Sequence, residues 1–408
     1  MPAIWVDGWA ALATALQALW LFNVAFLTLA TAGAWASRLW PRRSRPVPPG
    51  PVTRFGVLIA AHDEAAVIGD AVRHVLAQDY PPEARSVVVV ADRCRDATAE
   101  IARRAGAEVY ERANGRGSKG AALGWLWQEL GGATGGWDAV IVLDADNLVQ
   151  PGFLAALDRT FRSGARVAQG TRVGTHHAGT PASALDALAE ALHHRVVARG
   201  LDWWGISTTI SGSGVGFVRD LFGSLVATTT SQVEDCEWQI RLLCRGERIR
   251  AVPEAIVLDE KTGDFATMTR QRARWVQGKL QVAGLALPEA LHAALRGRKG
   301  GWEAIAHLLT TVPRSVLVAG LGGWGILALL RVPGVWGPGV WAGALALFAA
   351  HVATGLVIDG IRGEEWRSLA HAPAFMAMLF VACRRALWGG TLPWERTPHG
   401  AARKQGPP

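Results

Sequence analysis

Two carboxylates stand two positions apart in the sequence DADN, at Asp144 and Asp146, directly after the apolar run DAVIVL. Aspartate at the end of a strand is often a helix cap, but two carboxylates in this i, i+2 relation are poorly placed to cap together. They are better placed to meet a divalent cation that bridges phosphate oxygens, because Mg²⁺ and Mn²⁺ prefer oxygen ligands and keep several waters. The pair therefore predicts a Mg²⁺ or Mn²⁺ site.

A second set of reactive side chains lies in QRARW, shortly before the chain becomes strongly apolar. On a helix, Gln271, Arg274 and Trp275 occupy positions i, i+3 and i+4 and share one face, whereas Arg272 points elsewhere. One interpretation is a basic cluster with a Trp anchor beside a membrane. The other is a clamp, in which the guanidinium holds a phosphate, the indole a flat ring and the amide hydroxyl groups. The motif alone leaves both interpretations open.

The elements that must position these residues follow an alternation of strands and helices. FGVLIAA (55–61), SVVVVA (86–91) and DAVIVL (138–143) are short apolar runs typical of strands buried on both faces. Amphipathic stretches separate them, which predicts an α/β domain with a mainly parallel sheet and helices on both sides. Each run ends in polar residues, and ligands of such sheets bind beyond the carboxyl ends of the strands. No GxxxxGK[ST] or GxGxxG loop is present, which counts against P-loop and dinucleotide-binding proteins.

Composition narrows the class of partner. The 408 residues are 50% hydrophobic and 19% charged, with a net charge of +8. Arginines cluster near apolar segments instead of forming a basic stripe with stacking aromatics, which favours a membrane surface or phosphate ligands over nucleic acid. The cysteines show no CxxC or Cys/His spacing, so we expect neither a disulfide framework nor a zinc site, and a reducing cytosolic face fits.

Long apolar segments predict a membrane protein. Residues 8–37 carry no charge and exceed the roughly 20 residues needed to cross a bilayer. No convincing cleavage pattern follows them, so we predict a retained transmembrane anchor over residues 1–37. A basic, Pro-rich linker comes next at 38–54. Its arginines place that side of the membrane in the cytoplasm by the positive-inside rule.

The C-terminal part of the chain contains further apolar runs. We predict two spans, at about 312–330 and about 335–358, with the polar loop DGIRGEEWRS returning to the cytoplasm. A last apolar run, about 370–383, is shorter. Another crossing there would place the basic tail outside, against the charge rule, so we predict an interfacial or re-entrant helix.

In their order and spacing, these motifs resemble those of the membrane-bound inverting glycosyltransferases of family 2. This group includes the cellulose, hyaluronan and poly-N-acetylglucosamine synthases and ceramide glucosyltransferase. The resemblance covers residues 55–279 in order, plus the flanking spans. It implies a cytosolic GT-A domain that transfers a sugar, with inversion, from a nucleotide sugar to a membrane lipid or a growing polysaccharide. A UDP-sugar donor and a Mg²⁺ or Mn²⁺ cofactor are also implied by the resemblance.

The resemblance further implies a role for each matching residue. Asp92 would contact the nucleotide base, and Lys119, in GRGSKGAAL, would lie near the diphosphate. VEDCE matches the family's TED motif, with Asp235 as the catalytic base. The expected catalytic residues are Asp235, Glu234 and Arg274; the donor site would be formed by Ala61, Glu64, Asp92, Lys119, Asp144 and Arg274; the acceptor site by Gly212, Ser213, Gly214, Gln271 and Trp275; the metal site by Asp146 and Asp144.

Two positions depart from the family pattern. Val233 replaces the threonine of TED, and Asp63 stands where the family often carries asparagine in HNE. Asp63 adds negative charge near a site expected to bind phosphate. It could be tolerated, paired with Arg93, or a sign of an altered donor preference. WERT, at residues 394–397, resembles a tail element beside the family's active-site entrance.

Other conspicuous residues are predicted to have no catalytic role. The pairs His176-His177 and His193-His194 lack Glu or Cys partners at metal-ligand spacing. Arg314 is predicted to be a snorkelling residue. The thiol of Cys236 lies among acidic residues, which raise a thiol pKa and argue against reactivity.

These predictions combine into one arrangement in the cell (inner) membrane, with a cytosolic catalytic domain and several spans. The GT-A domain would cover residues 55–264, QxxRW and amphipathic interfacial helices 265–300, transmembrane and interfacial helices 301–390, and a cytosolic tail 391–408. A homo-oligomer or a partner subunit is possible. The alternative function is a catalytically inactive nucleotide-sugar sensor or an assembly subunit of a polysaccharide synthesis or export complex. A transporter is disfavoured, because there are few spans and no internal repeat.

Overall fold

The structure, a computed structural model, describes residues 3–41, 47–131, 136–175, 179–261, 263–359 and 367–390. His176-His177, the WERT sequence, the whole tail 391–408 and part of the basic linker lie outside these ranges, so the predictions made for them stay predictions. All four cysteines are free thiols.

Eight strands form one sheet in the order β3-β2-β1-β4-β7-β6-β8-β5. Strands β1 to β4 are mutually parallel where they pair, and β7 joins β4 in the antiparallel direction. This confirms the predicted α/β class and the three predicted strands, whose observed ends lie within one residue of the predicted ends. The strands are β1 Phe55–Ala61, β2 Arg85–Asp92, β3 Glu108–Arg112, β4 Ala139–Asp144, β5 Leu148–Val149, β6 Val167–Thr175, β7 Val215–Val218 and β8 Ile249–Glu260.

Helices cover both faces of the sheet and continue into the apolar segments. A π-helical segment, Leu192–Ala198, joins α6 to α7, and short 3₁₀ turns lie at Pro82–Ala84 and Leu369–His371. The helices are α1 Ala3–Leu39, α2 Ile68–Leu76, α3 Thr98–Arg104, α4 Lys119–Glu129, α5 Phe153–Arg162, α6 Pro181–Ala191, α7 Arg199–Trp204, α8 Arg219–Val226, α9 Glu234–Cys244, α10 Phe265–Leu295, α11 Lys299–Leu309, α12 Arg314–Leu329, α13 Pro338–Asp359 and α14 Ala372–Trp388.

The apolar strand sequences follow from burial on both faces. Along β1, Leu58 faces a core shared with α4, α8 and α9, whereas its neighbours Val57 and Ile59 face a core shared with α2 and α5. All three are fully buried. A strand whose alternate residues meet two separate cores reads as continuous hydrophobic sequence.

Strand register brings the predicted site residues to one edge of the sheet. Ala60 on β1 pairs with Asp144 on β4, and Ala61 pairs with Ala91 on β2, so that Asp92 extends one residue beyond. The carboxyl ends of these three parallel strands therefore meet, which is where ligands of such sheets bind.

The described residues contain two helices long and apolar enough to cross a membrane, Gly8–Leu39 and Pro338–Ile358. A third candidate exists if α11 and α12, which meet at a 74° bend, form one broken span. The predicted span at 312–330 is thus a shorter helix that begins only after Pro313. At the bend, Nδ2 of Asn23 donates a hydrogen bond of 3.1 Å to the carbonyl of Leu309. Such a bond satisfies a backbone group freed by the break.

The apolar helices pack against the α/β domain. Gly200 on α7 lies so close to α1 that a Cβ at this position would come within 1.8 Å of the carbonyl oxygen of Ala30. At the other end of the chain, Phe375 and Met378 of α14 bury against Met268 of α10. The helix carrying QRARW is therefore held between the α/β domain and the last helix.

Candidate active site

Lys119 lies at the centre of the polar edge, the edge of the sheet at which the carboxyl ends of β1, β2 and β4 meet. Its ammonium donates to the Asp144 carboxylate and, at 2.6 Å, to the carbonyl oxygen of Gly212. Lys119 is the first residue of α4, whose N-terminus is capped by Ser118: the Ser118 hydroxyl accepts from the backbone N–H of Ala121 at 3.2 Å. The positive end of this helix and the ammonium thus face the same space.

The loop SGSG, residues 211–214, is fixed by hydrogen bonds and by its glycines. Gly212 has a φ of +77°, and a Cβ there would approach 3.3 Å from Oδ2 of Asp235. The buried hydroxyl of Ser213 accepts a 3.0 Å hydrogen bond from the backbone N–H of Asp144. The loop therefore joins the end of β4 to the acidic start of α9.

Glu234 and Asp235 begin α9, where Glu234 is buried and Asp235 is half-buried. Burial raises the pKa of Glu234 to about 7, although the nearby Lys119 opposes the shift and Asp235 adds to it. Burial likewise raises the pKa of Asp235, while the Lys279 ammonium and the backbone N–H of Cys236, 2.7 Å from Oδ1, act in the opposite direction. Carboxylates with raised pKa values are suited to accept a proton.

Helix α10 approaches this pair through a glycine. A Cβ on Gly278 would lie 2.6 Å from Cγ1 of Val233, so the helix packs directly on the residue before Glu234. This contact brings Lys279 close to Asp235.

QRARW is helical, as predicted, but Arg272 is not separate from the face that carries Trp275, because the two side chains are in contact. The Arg272 guanidinium pairs with Asp186 on α6 and lies 4.5 Å from the centroid of the Trp275 ring. Gln271, Arg274 and Trp275 are half-buried. Arg274 precedes Gly278 by about one turn, so both residues belong to the part of α10 that faces the start of α9.

Asp92 is buried beside two arginines. Its Oδ1 accepts from Nη1 of Arg112 at 2.9 Å, and its Oδ2 accepts from Nη2 of Arg93 at 3.1 Å. Arg93 therefore pairs with Asp92 and not with Asp63, which removes one of the alternatives considered for Asp63. Oδ1 of Asp63 instead accepts from the backbone N–H of Arg95 at 2.6 Å.

Backbone strain coincides with this part of the edge. Asp63 and Arg93 have φ values of +55° and +54°, in the left-handed region that non-glycine residues seldom adopt. Such residues cluster at ligand sites, where the surrounding structure holds them in place. Nearby, the backbone N–H of Glu64 donates to Oγ1 of Thr98 at 2.7 Å.

The residues of the DADN turn fit a divalent cation. Asp144 and Asp146 are partly exposed carboxylates at the strand ends, and oxygen ligands of this kind are the ones that Mg²⁺ and Mn²⁺ take. Oδ1 of Asp144 is engaged by Lys119, whereas Oδ1 of Asp146 accepts from Nδ2 of Asn147 at 3.0 Å.

Comparison with known proteins identifies the family to which this chain belongs. The model of the family described as Glycosyltransferase like family 2 matches residues 51–278, more than half of the chain. The chain belongs to glycosyltransferase family 2. Those residues include the polar edge and the QRARW helix, so the resemblance inferred from the motifs is confirmed at the level of the family.

Individual relatives of this family 2 protein are distant. A probable glycosyltransferase of Bacillus subtilis (strain 168), YdaM, is 26% identical over 241 residues, which are 56% of this chain and 56% of the relative. The chain thus matches about half the length of that relative. The structure of a mannosyltransferase from Pyrobaculum calidifontis, PcManGT, in complex with GDP-Man and Mn²⁺, is 19% identical. It aligns over 91% of this chain and 99% of its own, with a TM-score of 0.53, and confirms the GT-A-like fold.

Several residues around the candidate site, from a helix and from neighbouring strands, were not predicted from the motifs. Lys279 lies four residues beyond QRARW and acts on Asp235, and Arg112 holds Asp92 from β3. Gln169 and Arg172 on β6 hold the SGSG loop: Gln169 Nε2 donates to the carbonyl of Ser213 at 2.9 Å, and Arg172 Nη1 to that of Ser211 at 2.7 Å. These contacts join elements that are distant in sequence, so no local sequence signal could reveal them.

The residues predicted to be non-catalytic have other partners. Nε2 of His193 lies 2.6 Å from Oγ1 of Thr209, and burial lowers the pKa of His193 to about 3. Burial, with Asp235 adding to it, raises the pKa of Cys236 to about 12, as the acidic neighbours predicted. Arg314 donates to the carbonyl of Ala189, in the last turn of α6, at 3.0 Å.

Proposed function

We propose that this protein is an inverting glycosyltransferase that moves a sugar from a nucleoside diphosphate sugar to an acceptor at the membrane. The observation that supports the proposal most strongly is that residues from several elements meet at one place. Lys119, Asp144, Gly212 and the Glu234-Asp235 pair meet at the carboxyl edge of the sheet, within a chain that belongs to family 2.

The donor half of the site supports binding of a diphosphate. The ammonium of Lys119 and the N-terminus of α4 provide positive potential, and Arg274 lies on the helix that packs beside the Glu234-Asp235 pair. Asp146 and Asp144 would hold Mg²⁺ or Mn²⁺, which neutralises charge on the departing diphosphate. Ala61, Glu64 and Asp92 lie at the ends of β1 and β2, where the nucleoside would bind.

The acceptor half of the site supports an attacking hydroxyl group. Asp235 faces Gly212 and would remove the hydroxyl proton as the oxygen attacks the anomeric carbon; the diphosphate leaves with the bonding electron pair. Direct displacement on the opposite face inverts the anomeric centre. Gly212, Ser213 and Gly214 would border the acceptor, and Gln271 and Trp275 would bind its sugar or headgroup. Glu234 would remain beside Lys119 and balance its charge.

The setting that we propose is the inner membrane, with the site on the cytosolic side. Candidate spans flank the α/β domain, and the second half of α10 exposes large apolar side chains, such as Leu285 at 71% and Leu295 at 84%. Such a helix suits the interface plane of a bilayer. Two or three spans are little material to enclose a polymer channel, so a lipid or membrane-proximal acceptor is favoured over a polysaccharide unless subunits assemble.

The test is release of nucleoside diphosphate by the full chain purified in detergent. UDP-sugars and GDP-sugars would be supplied in turn, with Mn²⁺ or Mg²⁺ and a membrane lipid extract, and Asp235→Asn would serve as the blank. We expect release with one sugar, and mass analysis of the products would then identify the acceptor as lipid or polymer. If no sugar in the panel gives release although nucleotide still binds, the result would favour the inactive sensor or subunit.

A further inference from the structure

Behind the proposed metal site lies a buried cluster of alternating charges. Its six members, which we call the ion cluster, come from four elements, β6, β8, α6 and α10, or from the residue after β8. They are Arg172, Asp186, Glu190, Asp259, Lys261 and Arg272. Three acids balance three bases, and the side chains of all but Arg272 are at most 13% exposed. Removing one charged member of such a buried cluster destabilises the fold, because it leaves a buried charge of the opposite sign without its partner.

Asn147 connects this cluster to Asp146. Its Nδ2 donates to Oδ1 of Asp146 at 3.0 Å and to Oδ1 of Asp259 at 2.9 Å, and the residue is 1% exposed. The other oxygen of Asp259, Oδ2, accepts from Nη2 of Arg172 at 2.7 Å and from Nζ of Lys261 at 2.5 Å. Asp259 therefore holds the Asn147 amide in place, and Asp259 is in turn held by Arg172 and Lys261.

Arg172 extends the connection to the proposed acceptor side. Its Nη1 donates to the carbonyl of Ser211 at 2.7 Å, while its Nε lies 3.2 Å from Oε1 of Glu190. One guanidinium therefore contacts both Asp259, which holds Asn147, and the loop that faces Asp235.

We propose that Asn147, Asp259 and Arg172 are positioning residues, which hold the Asp146 carboxylate toward the cation and set its place relative to the SGSG loop. This inference rests on the proposed function, because it takes Asp146 as a metal ligand. Outer partners of metal ligands commonly change metal affinity about 10- to 100-fold when they are replaced. None of the three residues needs to touch the cation or either substrate.

The experiment measures Mn²⁺ binding to the full chain in detergent, by electron paramagnetic resonance, in the presence of UDP or GDP. We expect Asn147→Leu to weaken Mn²⁺ binding about 10- to 100-fold. Nucleotide binding in EDTA should stay close to wild type, and transfer should recover at saturating Mn²⁺. The Tm should fall, because the buried Asp259 carboxylate loses a hydrogen-bond donor. Asn147→Ser, which removes both hydrogen bonds without adding an apolar side chain, serves if the leucine variant does not fold.

Arg172→Met tests the more distant member. It should also weaken Mn²⁺ binding, although Arg172 has no contact with Asp146. Arg166→Met is the matched control, because Arg166 lies just before the same strand and makes a solvent-exposed pair with Glu247. Arg166→Met should bind Mn²⁺ like wild type.

The outcomes separate this inference from the proposed function. If wild type binds Mn²⁺ with nucleotide, Asp146→Ala loses it and the Asn147 variants match wild type, the inference is wrong and the proposed function stands. If wild type shows no nucleotide-linked Mn²⁺ binding, the metal part of the proposed function fails and the inference fails with it. If the Asn147 variants lose metal-free nucleotide binding as strongly as they lose Mn²⁺ binding, the inference is wrong and Asn147 has a purely structural role.

Discussion

At the scale of single residues, the site is a set of ionisable groups that control one another. Removal from water raises the pKa of both Glu234 and Asp235, and the Asp235 carboxylate raises that of Glu234 further. Two cations from separate elements oppose that effect, Lys119 from α4 and Lys279 from α10. The proton affinity of the proposed base is therefore set jointly by helices that are distant in sequence.

Replacing Lys279 should move the pH dependence in a defined direction. If Asp235 is the base, transfer requires its ionised form, so kcat/KM falls as pH falls through the pKa of Asp235. Because Lys279 lowers that pKa, Lys279→Met should raise it and shift the acid limb of the profile to higher pH. Lys279→Arg, which keeps the charge, should leave the limb near its wild-type position. A limb that is unchanged in Lys279→Met would rule out this electrostatic role.

At the scale of elements, the contact between α9 and α10 aligns the acidic pair with QRARW. Gly278 makes the approach possible, since a Cβ there would enter the space occupied by Val233. Sequence analysis predicted both motifs and the helix that carries QRARW. The contact between Gly278 and Val233 could not be predicted from the sequence, because the two residues are 45 positions apart, from 278 − 233.

Gly278→Ala should therefore separate the two helices. We expect a loss of about 1–3 kcal/mol in stability from overpacking, together with reduced transfer. Val233→Ala in the same chain should restore part of both, because the two side chains would then share the space. Gly284→Ala on the same helix is the control: a Cβ there meets nothing within 4 Å, so stability should hold or rise. Additive effects of the two substitutions would contradict the direct contact.

Some strands of the sheet could be predicted from their sequence pattern and others could not. β1, β2 and β4 were predicted because they are buried on both faces and therefore apolar throughout. β6, with the sequence VAQGTRVGT, mixes small, polar and charged residues, and its Gln169 and Arg172 are buried in contacts with the SGSG loop. Polar residues whose hydrogen-bond partners are distant in sequence leave no local pattern. The residues of β6 that hold the SGSG loop therefore could not be predicted.

At the scale of the whole molecule, the apolar helices and the α/β domain are packed directly together. Gly200 on α7 meets the backbone of α1, and polar side chains of α1 contact the C-terminal helices, as in the 2.8 Å contact between Oγ1 of Thr31 and Nδ1 of His351. Hydropathy alone predicted the apolar segments. The 74° bend between α11 and α12 was missed, because a hydropathy pattern does not record direction.

The close contact between α1 and α7 leads to a stability prediction. Gly200→Ala would place a methyl group 1.8 Å from the carbonyl oxygen of Ala30, so the helices must move apart. We expect the Tm in detergent to fall, with a cost of about 1–3 kcal/mol or more. Gly322→Ala on α12, where a Cβ meets nothing within 4 Å, should not lower it. An unchanged Tm in Gly200→Ala would mean that α1 is not docked on the domain.

The proposed function depends most directly on Asp235, and one paired measurement tests it. Sugar transfer and nucleotide binding would be measured on Asp235→Asn and on Asp220→Asn, a control whose side chain is 85% exposed on α8. We predict that Asp235→Asn lowers transfer by about 10²- to 10⁴-fold while nucleotide affinity stays near wild type, and that Asp220→Asn changes neither. Wild-type transfer by Asp235→Asn, or an equal loss of transfer and nucleotide binding, would contradict the assignment of Asp235 as the base.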